Sequence, residues 1–153
     1  MDASLPSRSP SHEATFAGPN APLTGGCNPG RILARMLAID HIQLAAPPGC
    51  EEAARRFFGE LLGLEEIPKP EAIRARGGVW FRVGAHELHI GVEPDFAPAR
   101  KAHPAFLVHD LETLRERIEL AGYRVTDDVP LEGFHRCHVR DPFGNRLELV
   151  EPS

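Results

Sequence analysis

Three residues of metal-ligating types, His41, His103 and Glu148, lie in or beside short segments in which apolar and polar residues alternate. Alternation places successive side chains of a strand on opposite faces, so these polar residues lie on the faces opposite the apolar ones. Two imidazoles and one carboxylate, meeting from three strands, bind a catalytic divalent ion and leave coordination positions open for water or substrate. The pattern therefore predicts a metal centre formed by these three residues.

His89 and Glu87 are candidates for a fourth ligand. They share the polar face of another predicted strand, and residues 88–90 match residues 147–149 at an offset of 59, which makes His89 the counterpart of Glu148. The repeat favours His89, with Glu87 as the alternative, and a fourth protein ligand would leave fewer open positions. Imidazole and carboxylate suit Zn(II), Ni(II), Mn(II) or Fe(II), and the sequence does not choose among these ions.

The candidate ligands lie on a repeated order of predicted elements. Residues 37–95 predict a strand near 39–44, a helix over 50–62, and strands near 64–67, 79–83 and 87–92. Residues 101–151 repeat that order, with a strand at 105–108, a helix over about 110–121, and strands near 123–126, 136–140 and 146–150. The expected fold class is therefore α+β, with two tandem βαβββ modules forming a cupped mixed sheet that can enclose a cavity.

Composition narrows the class of protein. A chain of 153 residues, 42% hydrophobic and 25% charged, is in the range of a globular protein with one domain. Residues 1–36 are rich in Pro, Ser, Gly and Ala without a hydrophobic period, which predicts a disordered tail before a domain at residues 37–153. The formal net charge of -5 argues against nucleic-acid binding.

The sequence also gives an expectation for location. No segment approaches the ~20 apolar residues of a membrane span, and the first residues lack the apolar stretch of a secretory signal. Three cysteines without CxxC spacing indicate neither a disulfide framework nor a zinc finger. We therefore expect a cytoplasmic protein that does not associate with membranes.

Three motifs resemble the glyoxalase/bleomycin resistance protein/extradiol dioxygenase superfamily, also called the vicinal oxygen chelate superfamily. They are IDHI at residues 39–42, HPAF at 103–106 and DPFGNRLE at 141–148, and the resemblance covers about residues 37–151. It implies a small-molecule substrate and a homodimer. It also implies that His41, His103 and Glu148 fall on family metal positions, and that His89 or Glu87 falls where glyoxalase I has a carboxylate ligand.

The resemblance also implies roles around the metal. Arg136 and His138 fall where related enzymes place substrate-contacting side chains, and Gln43, which shares the predicted face of His41, joins them as a candidate. Trp80 and Phe134 are expected to form the cavity wall. Catalytic proton transfer is expected from Glu148 or Glu87, with His138 as a further acid or base.

Three functions follow as hypotheses. The leading one is a metal-dependent lyase or isomerase similar to lactoylglutathione lyase, in which substrate oxygens chelate the ion. The second is an extradiol-type Fe(II) dioxygenase, because two histidines and one glutamate also form the non-haem iron triad. The third is a metal-free pocket that sequesters a drug, as bleomycin resistance proteins do. The DPFG segment is expected to be a tight turn in which Gly144 adopts a positive φ.

Overall fold

The computed structural model describes residues 36–153, so the tail predicted for residues 1–36 lies, apart from Met36, outside the described residues. Module one contains strands β1 to β4 and the first helices. Its elements are β1 (His41–Ala46), α1 (Glu51–Ala54), a π-helix (Arg55–Leu61), β2 (Glu65–Ile67), α2 (Glu71–Arg74), β3 (Val79–Val83) and β4 (His86–Val92). Module two contains β5 (Ala105–Leu107), α3 (Leu111–Leu120), β6 (Val125–Asp127), β7 (Phe134–Arg140) and β8 (Arg146–Pro152).

Each module forms one four-stranded mixed sheet. The strand orders are β1-β4-β3-β2 and β5-β8-β7-β6, so the two sheets have the same connectivity. In each sheet the first strand pairs in parallel with the fourth, and the remaining pairs are antiparallel. The predicted α+β architecture of two tandem βαβββ modules is confirmed.

The first helix differs from the one predicted over residues 50–62. Only Glu51–Ala54 is α-helical, and the chain continues as a π-helix over Arg55–Leu61 in which Phe57 and Phe58 are both buried. Apolar spacing over so short a stretch identifies a helix but does not distinguish α from π hydrogen bonding, which explains the difference. The single-turn helix α2 was not predicted, because it presents no buried face.

Helix α3 begins and ends at residues that suit those positions. The Asp110 carboxylate accepts a hydrogen bond from the Thr113 backbone N–H at 3.2 Å, although Asp110 itself has a φ of 55°. Gly122 follows the helix with a φ of 88°, a value that glycine adopts without a steric penalty. These two signals explain why the boundaries of α3 were predicted within about a residue.

One hydrophobic core spans both modules, and each sheet contributes its helix-facing side. Phe57 of module one meets Tyr123 of module two edge to face, with ring centroids 4.8 Å apart. The Asn145 side-chain amide donates to the Ala45 carbonyl oxygen at 2.9 Å, which ties the turn before β8 to β1. Among residues 36–153, no helix has both the length and the apolar character needed to cross a bilayer.

Candidate metal centre

Strand pairing in module two brings His138 and Glu148 together. Strands β7 and β8 are antiparallel neighbours in which His138 lies opposite Glu148, and β5 pairs in parallel with β8 so that Ala105 lies opposite Glu148. Residues opposite each other share a sheet face. His103 precedes β5 by two residues, and this position lets its side chain reach Glu148.

His103, His138 and Glu148 form a compact group, called the cluster below. His103 Nε2 lies 3.1 Å from Glu148 Oε2, and His138 Nε2 lies 3.9 Å from the same oxygen. One potential ligand atom from each residue lies within 4.8 Å of the other two, and no other group of three such residues occurs between Met36 and Ser153. The side chains of His103, His138 and Glu148 are 24%, 6% and 12% exposed, so the potential ligand atoms lie in a partly enclosed site.

The hydrogen bond that His103 makes behind the site fits a metal-ligand role. His103 Nδ1 lies 2.7 Å from the Lys101 carbonyl oxygen, which can only accept, so Nδ1 carries a proton. Nε2 therefore faces the Glu148 carboxylate either with a proton, which it donates to Oε2, or with a lone pair. In the second case both atoms are acceptors, and a cation must lie between them. Anchoring of the second imidazole nitrogen is typical of histidine ligands.

Arg136 sets the charge of Glu148. Its Nη1 donates to Glu148 Oε1 at 2.7 Å, and its Nη2 lies 3.3 Å from Asp128 Oδ2. The Arg136 guanidinium lowers the pKa of Glu148; partial burial acts in the opposite direction, and His103 adds to the lowering. Glu148 is therefore an ionised carboxylate near neutral pH, with Oε2 directed toward both histidines.

His138 lies between Glu148 and a second arginine. Arg146 Nη2 lies 2.8 Å from His138 Nε2 and 3.3 Å from Asp128 Oδ2. Burial lowers the pKa of His138, and the nearby Arg146 cation lowers it further. A neutral His138 can act as a metal ligand or as a proton acceptor, which are the two roles that this position permits.

Module one places its candidate residues in a different arrangement. The His89 ring is stacked between Trp80, at a centroid distance of 3.7 Å, and His41, at 4.2 Å. His89 Nε2 lies 3.0 Å from Glu87 Oε2, and His41 Nδ1 lies 2.8 Å from Asp40 Oδ2. His41, Glu87 and His89 share one sheet face, as predicted, but His41 is not part of the group formed by His103, His138 and Glu148.

Gln43 and Phe134, which were also predicted to line the substrate site, lie on the sheet faces that carry His89 and His138, respectively. Gln43 lies opposite His89, and its side chain occupies space that Gly91 leaves free, since a Cβ at Gly91 would come within 2.8 Å of the Gln43 amide. Phe134, which is 45% exposed, begins β7 on the face that also carries Arg136.

Sequence reasoning missed part of the cluster. It gave His138 a substrate-binding or acid-base role rather than a place among the potential ligands, and it did not connect Arg146 or Asp128 with His138. The β7–β8 hairpin could have predicted the position of His138 beside Glu148. If residues 141–145 form the turn, Arg140 pairs with Arg146, and this register places His138 opposite Glu148. No sequence signal identified Asp128, which precedes β7 in a loop.

Comparisons with known proteins agree with this fold. A family model described as the Glyoxalase/Bleomycin resistance protein/Dioxygenase superfamily matches residues 38–149. A solved glyoxalase family protein from Bacillus anthracis is 48% identical, with a TM-score of 0.76, over 80% of this chain and 100% of that one. No curated protein sequence matches the chain.

Two further solved structures are each 25% identical to this chain. A glyoxalase family protein from Enterococcus faecalis has a TM-score of 0.58 and matches over 74% of this chain and 97% of its own. A lactoylglutathione lyase from Agrobacterium tumefaciens has a TM-score of 0.57 and matches over 74% of this chain and 92% of its own.

Proposed function

Because the chain belongs to the glyoxalase/bleomycin resistance protein/dioxygenase superfamily, we propose that it is a metal-dependent lyase or isomerase whose small substrate chelates the ion through two neighbouring oxygens. The observation that carries this proposal is the group formed by His103, His138 and Glu148. The similarity to a lactoylglutathione lyase supports this reaction type.

The donor set fits a divalent ion. Two neutral imidazoles and a carboxylate suit Zn(II), Ni(II), Mn(II) or Fe(II), and three protein ligands leave positions for substrate oxygens. Bound there, such an ion would act as a Lewis acid that stabilises negative charge developing on a substrate oxygen. The protein residues supply the rest, namely orientation, charge balance and proton transfer.

Proton transfer is assigned to the residues around the cluster. Glu148 is held ionised by Arg136, so it is a candidate base if its carboxylate detaches from the ion. His138 is a neutral imidazole beside it and can accept or return a proton. Glu87, whose side chain is 29% exposed and lies beside His89, is the candidate base in module one.

We further propose a homodimer in which module one of each copy faces the cluster of the other. His41 then adds one ligand to the metal centre, with His89 or Glu87 as the alternative, so that two positions of a six-coordinate ion stay open for the substrate oxygens. Ile39, just before β1, and Leu107 in β5 are 63% and 77% exposed, and both strands lie at a sheet edge. Exposed apolar residues beside sheet edges fit a surface covered by another copy.

Metal analysis tests the central proposal. We expect about one transition-metal ion per chain after purification without added metal, and loss of that ion in His103→Ala. His135→Ala is the matched control, because His135 lies exposed on β7, on the face opposite His138. Clearly less than one ion per chain in the wild type, even after reconstitution, would rule out the metal-dependent enzyme.

An extradiol-type Fe(II) dioxygenase is the second candidate. It is favoured by the same cluster, since two histidines and one glutamate from a single module are the residue types of the non-haem iron triad and could hold Fe(II). Oxygen uptake by the Fe(II)-loaded protein with a panel of catechols separates the two functions. Turnover-linked oxygen consumption would favour the dioxygenase over the lyase or isomerase.

A further inference from the structure

The Arg146 guanidinium donates a hydrogen bond to the His138 nitrogen that faces Glu148. Arg146 Nη2 lies 2.8 Å from His138 Nε2. A guanidinium has donors but no acceptor, so this short contact requires that Nε2 be the acceptor and that the ring proton be on Nδ1. His138 Nδ1 is turned toward Asp128 Oδ2 at 3.6 Å, which is consistent with that tautomer.

The same nitrogen is the atom that His138 presents to Glu148. His138 Nε2 lies 3.9 Å from Glu148 Oε2, whereas Nδ1 faces Asp128. One lone pair cannot accept from Arg146 and ligate a cation at once. An ion held by His103, His138 and Glu148 therefore has to displace the Arg146 guanidinium from His138.

Displacement leaves Arg146 with little negative charge to pair with. Its remaining partner, Asp128, is shared with Arg136, which lies 3.3 Å from the same carboxylate oxygen. Asp128 and Glu148 together balance the two arginines, since Arg136 also contacts Glu148 at 2.7 Å. An ion bound by Glu148 would take up the charge of that carboxylate and leave Asp128 shared between Arg136 and Arg146. A released Arg146 guanidinium has unused donors and needs an anion.

A cavity of about 680 Å³ lies next to His138 and is lined by Arg146 together with Arg124, Arg140 and Thr126. The acidic residues in its wall are already engaged. Asp127 pairs with Arg115, and the Asp141 carboxylate accepts hydrogen bonds within its own turn. Asp128, the third aspartate in the wall, lies beside both Arg136 and Arg146. Three arginines and three engaged aspartates therefore line the cavity, and the arginines are the groups there that could bind an anion directly beside the potential metal site.

We propose that Arg146 binds an oxyanionic group of the substrate, a carboxylate or a phosphate, when the metal takes its place on His138. This inference rests on the metal-dependent function proposed above and names the class of its substrate: a small molecule with two chelating oxygens and a separate anionic group. Guanidinium matches either oxyanion with two parallel hydrogen bonds. Metal binding and anion binding are thereby coupled through one side chain.

The test uses matched chelating probes with the Zn(II)-loaded protein. Butanohydroxamic acid chelates through two oxygens and carries no further charge, succinic monohydroxamic acid adds a carboxylate, and 3-phosphonopropanohydroxamic acid adds a phosphonate. Calorimetric titration should show that the wild type binds at least one charged probe about tenfold more tightly than the neutral one. The better charged probe identifies which oxyanion the cavity prefers.

Arg146→Met should abolish that preference while binding the neutral probe within about threefold of the wild type. Its Zn(II) affinity, measured against a chromophoric chelator, should equal or exceed that of the wild type, because nothing competes for His138. Arg146→Lys keeps the positive charge and should retain part of the preference. Arg140→Met removes a charge from the same cavity wall without touching His138, and it should keep most of the preference.

The outcomes separate this inference from the proposed function. If Zn(II) does not bind, both fail. If Zn(II) binds stoichiometrically but the preference for charged probes is absent in the wild type, or survives in Arg146→Met, only the role of Arg146 is overturned. Equal loss in Arg140→Met and Arg146→Met would also overturn it, because the preference would then reflect the field of the cavity rather than one residue.

Discussion

The two modules share their topology but carry different side chains at equivalent positions. In module one His89 lies opposite Trp80 on the neighbouring strand, and in module two Glu148 lies opposite His138 in the same way. In the module-one pair the ring centroids are 3.7 Å apart and the interplanar angle is 6°, so Trp80 covers the His89 ring. The module-two pair turns a carboxylate oxygen and an imidazole nitrogen toward each other.

The difference also extends to the charges around each pair. Arg136 contacts Glu148 at 2.7 Å with both side chains largely buried, whereas Arg82 contacts Glu87 at 3.4 Å with both side chains considerably more exposed. A carboxylate fixed by a buried arginine keeps its charge and its direction. The repeat therefore supplies the scaffold, and the identity of a few residues on the polar face decides which module presents a convergent site.

Removal of the module-two carboxylate should have the largest effect. Glu148→Gln keeps the shape of the side chain but removes the anionic ligand, so we expect metal affinity to fall by roughly 100-fold or more. His89→Gln changes the equivalent position in module one and should cost about tenfold or less. Competition against a chromophoric chelator measures both, and equal losses would mean that the centre depends on both modules alike.

Mixing two inactive variants tests whether a second copy completes the site. His41→Ala damages module one and Glu148→Ala damages module two. In a heterodimer with shared sites, both lesions fall in one site and the other stays intact, so roughly a quarter of all sites should recover metal after random exchange. No recovery in dimers shown to have exchanged subunits would place each site within one chain.

Loss of the ring that covers His89 should destabilise module one. Trp80→Ala removes a stacked, half-buried aromatic side chain, and we expect a loss of about 2 to 4 kcal/mol in the free energy of unfolding. Trp80→Phe retains a ring and should lose less than half of that. Urea denaturation of both variants gives the comparison, and equal losses would show that stacking on His89 contributes little.

The hydrogen bond between the modules should have a smaller effect. Asn145→Ala removes the donor to the Ala45 carbonyl oxygen and one of the donors to the buried Asp141 carboxylate, at a cost of about 1 to 3 kcal/mol. Thr113→Ala, at an exposed helix start in module two, retains its backbone N–H and serves as a control in urea denaturation. A loss no greater than in the control would show that this contact does not hold the modules together.

The acid dependence of stability should show the smallest effect. The folded pKa of Glu148 is lowered, so its contribution is present above the unfolded value near 4.5 and is lost as pH falls through the folded value. Arg136→Met removes the main cause of the lowering. Chelator-treated Arg136→Met should therefore lose less stability than the wild type between pH 5 and pH 3, as followed by urea denaturation at each pH. Parallel curves would contradict this.

Much of the scaffold could be predicted from the sequence because its signals are local. Turn residues on either side identified the short strand at 79–83, and alternation identified the strand at 146–150, since a half-buried strand has a period of two. Gly144 has a φ of 92°, as expected for the tight turn. The same turn does more than predicted, because Asn145 within it also bonds to module one through Ala45.

The face of each candidate residue was also predictable. Leu147 and Leu149 are buried on the helix side, which leaves Glu148 on the other face. Strand pairing then keeps His103 and Glu148 together, and the structure places them 3.1 Å apart. The role of His41 stays a prediction.

The repeated modules, the polar face and the residue types able to hold a metal can be predicted from local sequence, because alternation and turn chemistry depend only on near neighbours in the chain. Which of those residues converge depends instead on how distant strands pair and pack. His138 joins His103 and Glu148 through strand register, and Arg146 and Asp128 reach His138 from a neighbouring strand and a loop. Such contacts depend on side-chain directions across strands, which no local pattern encodes.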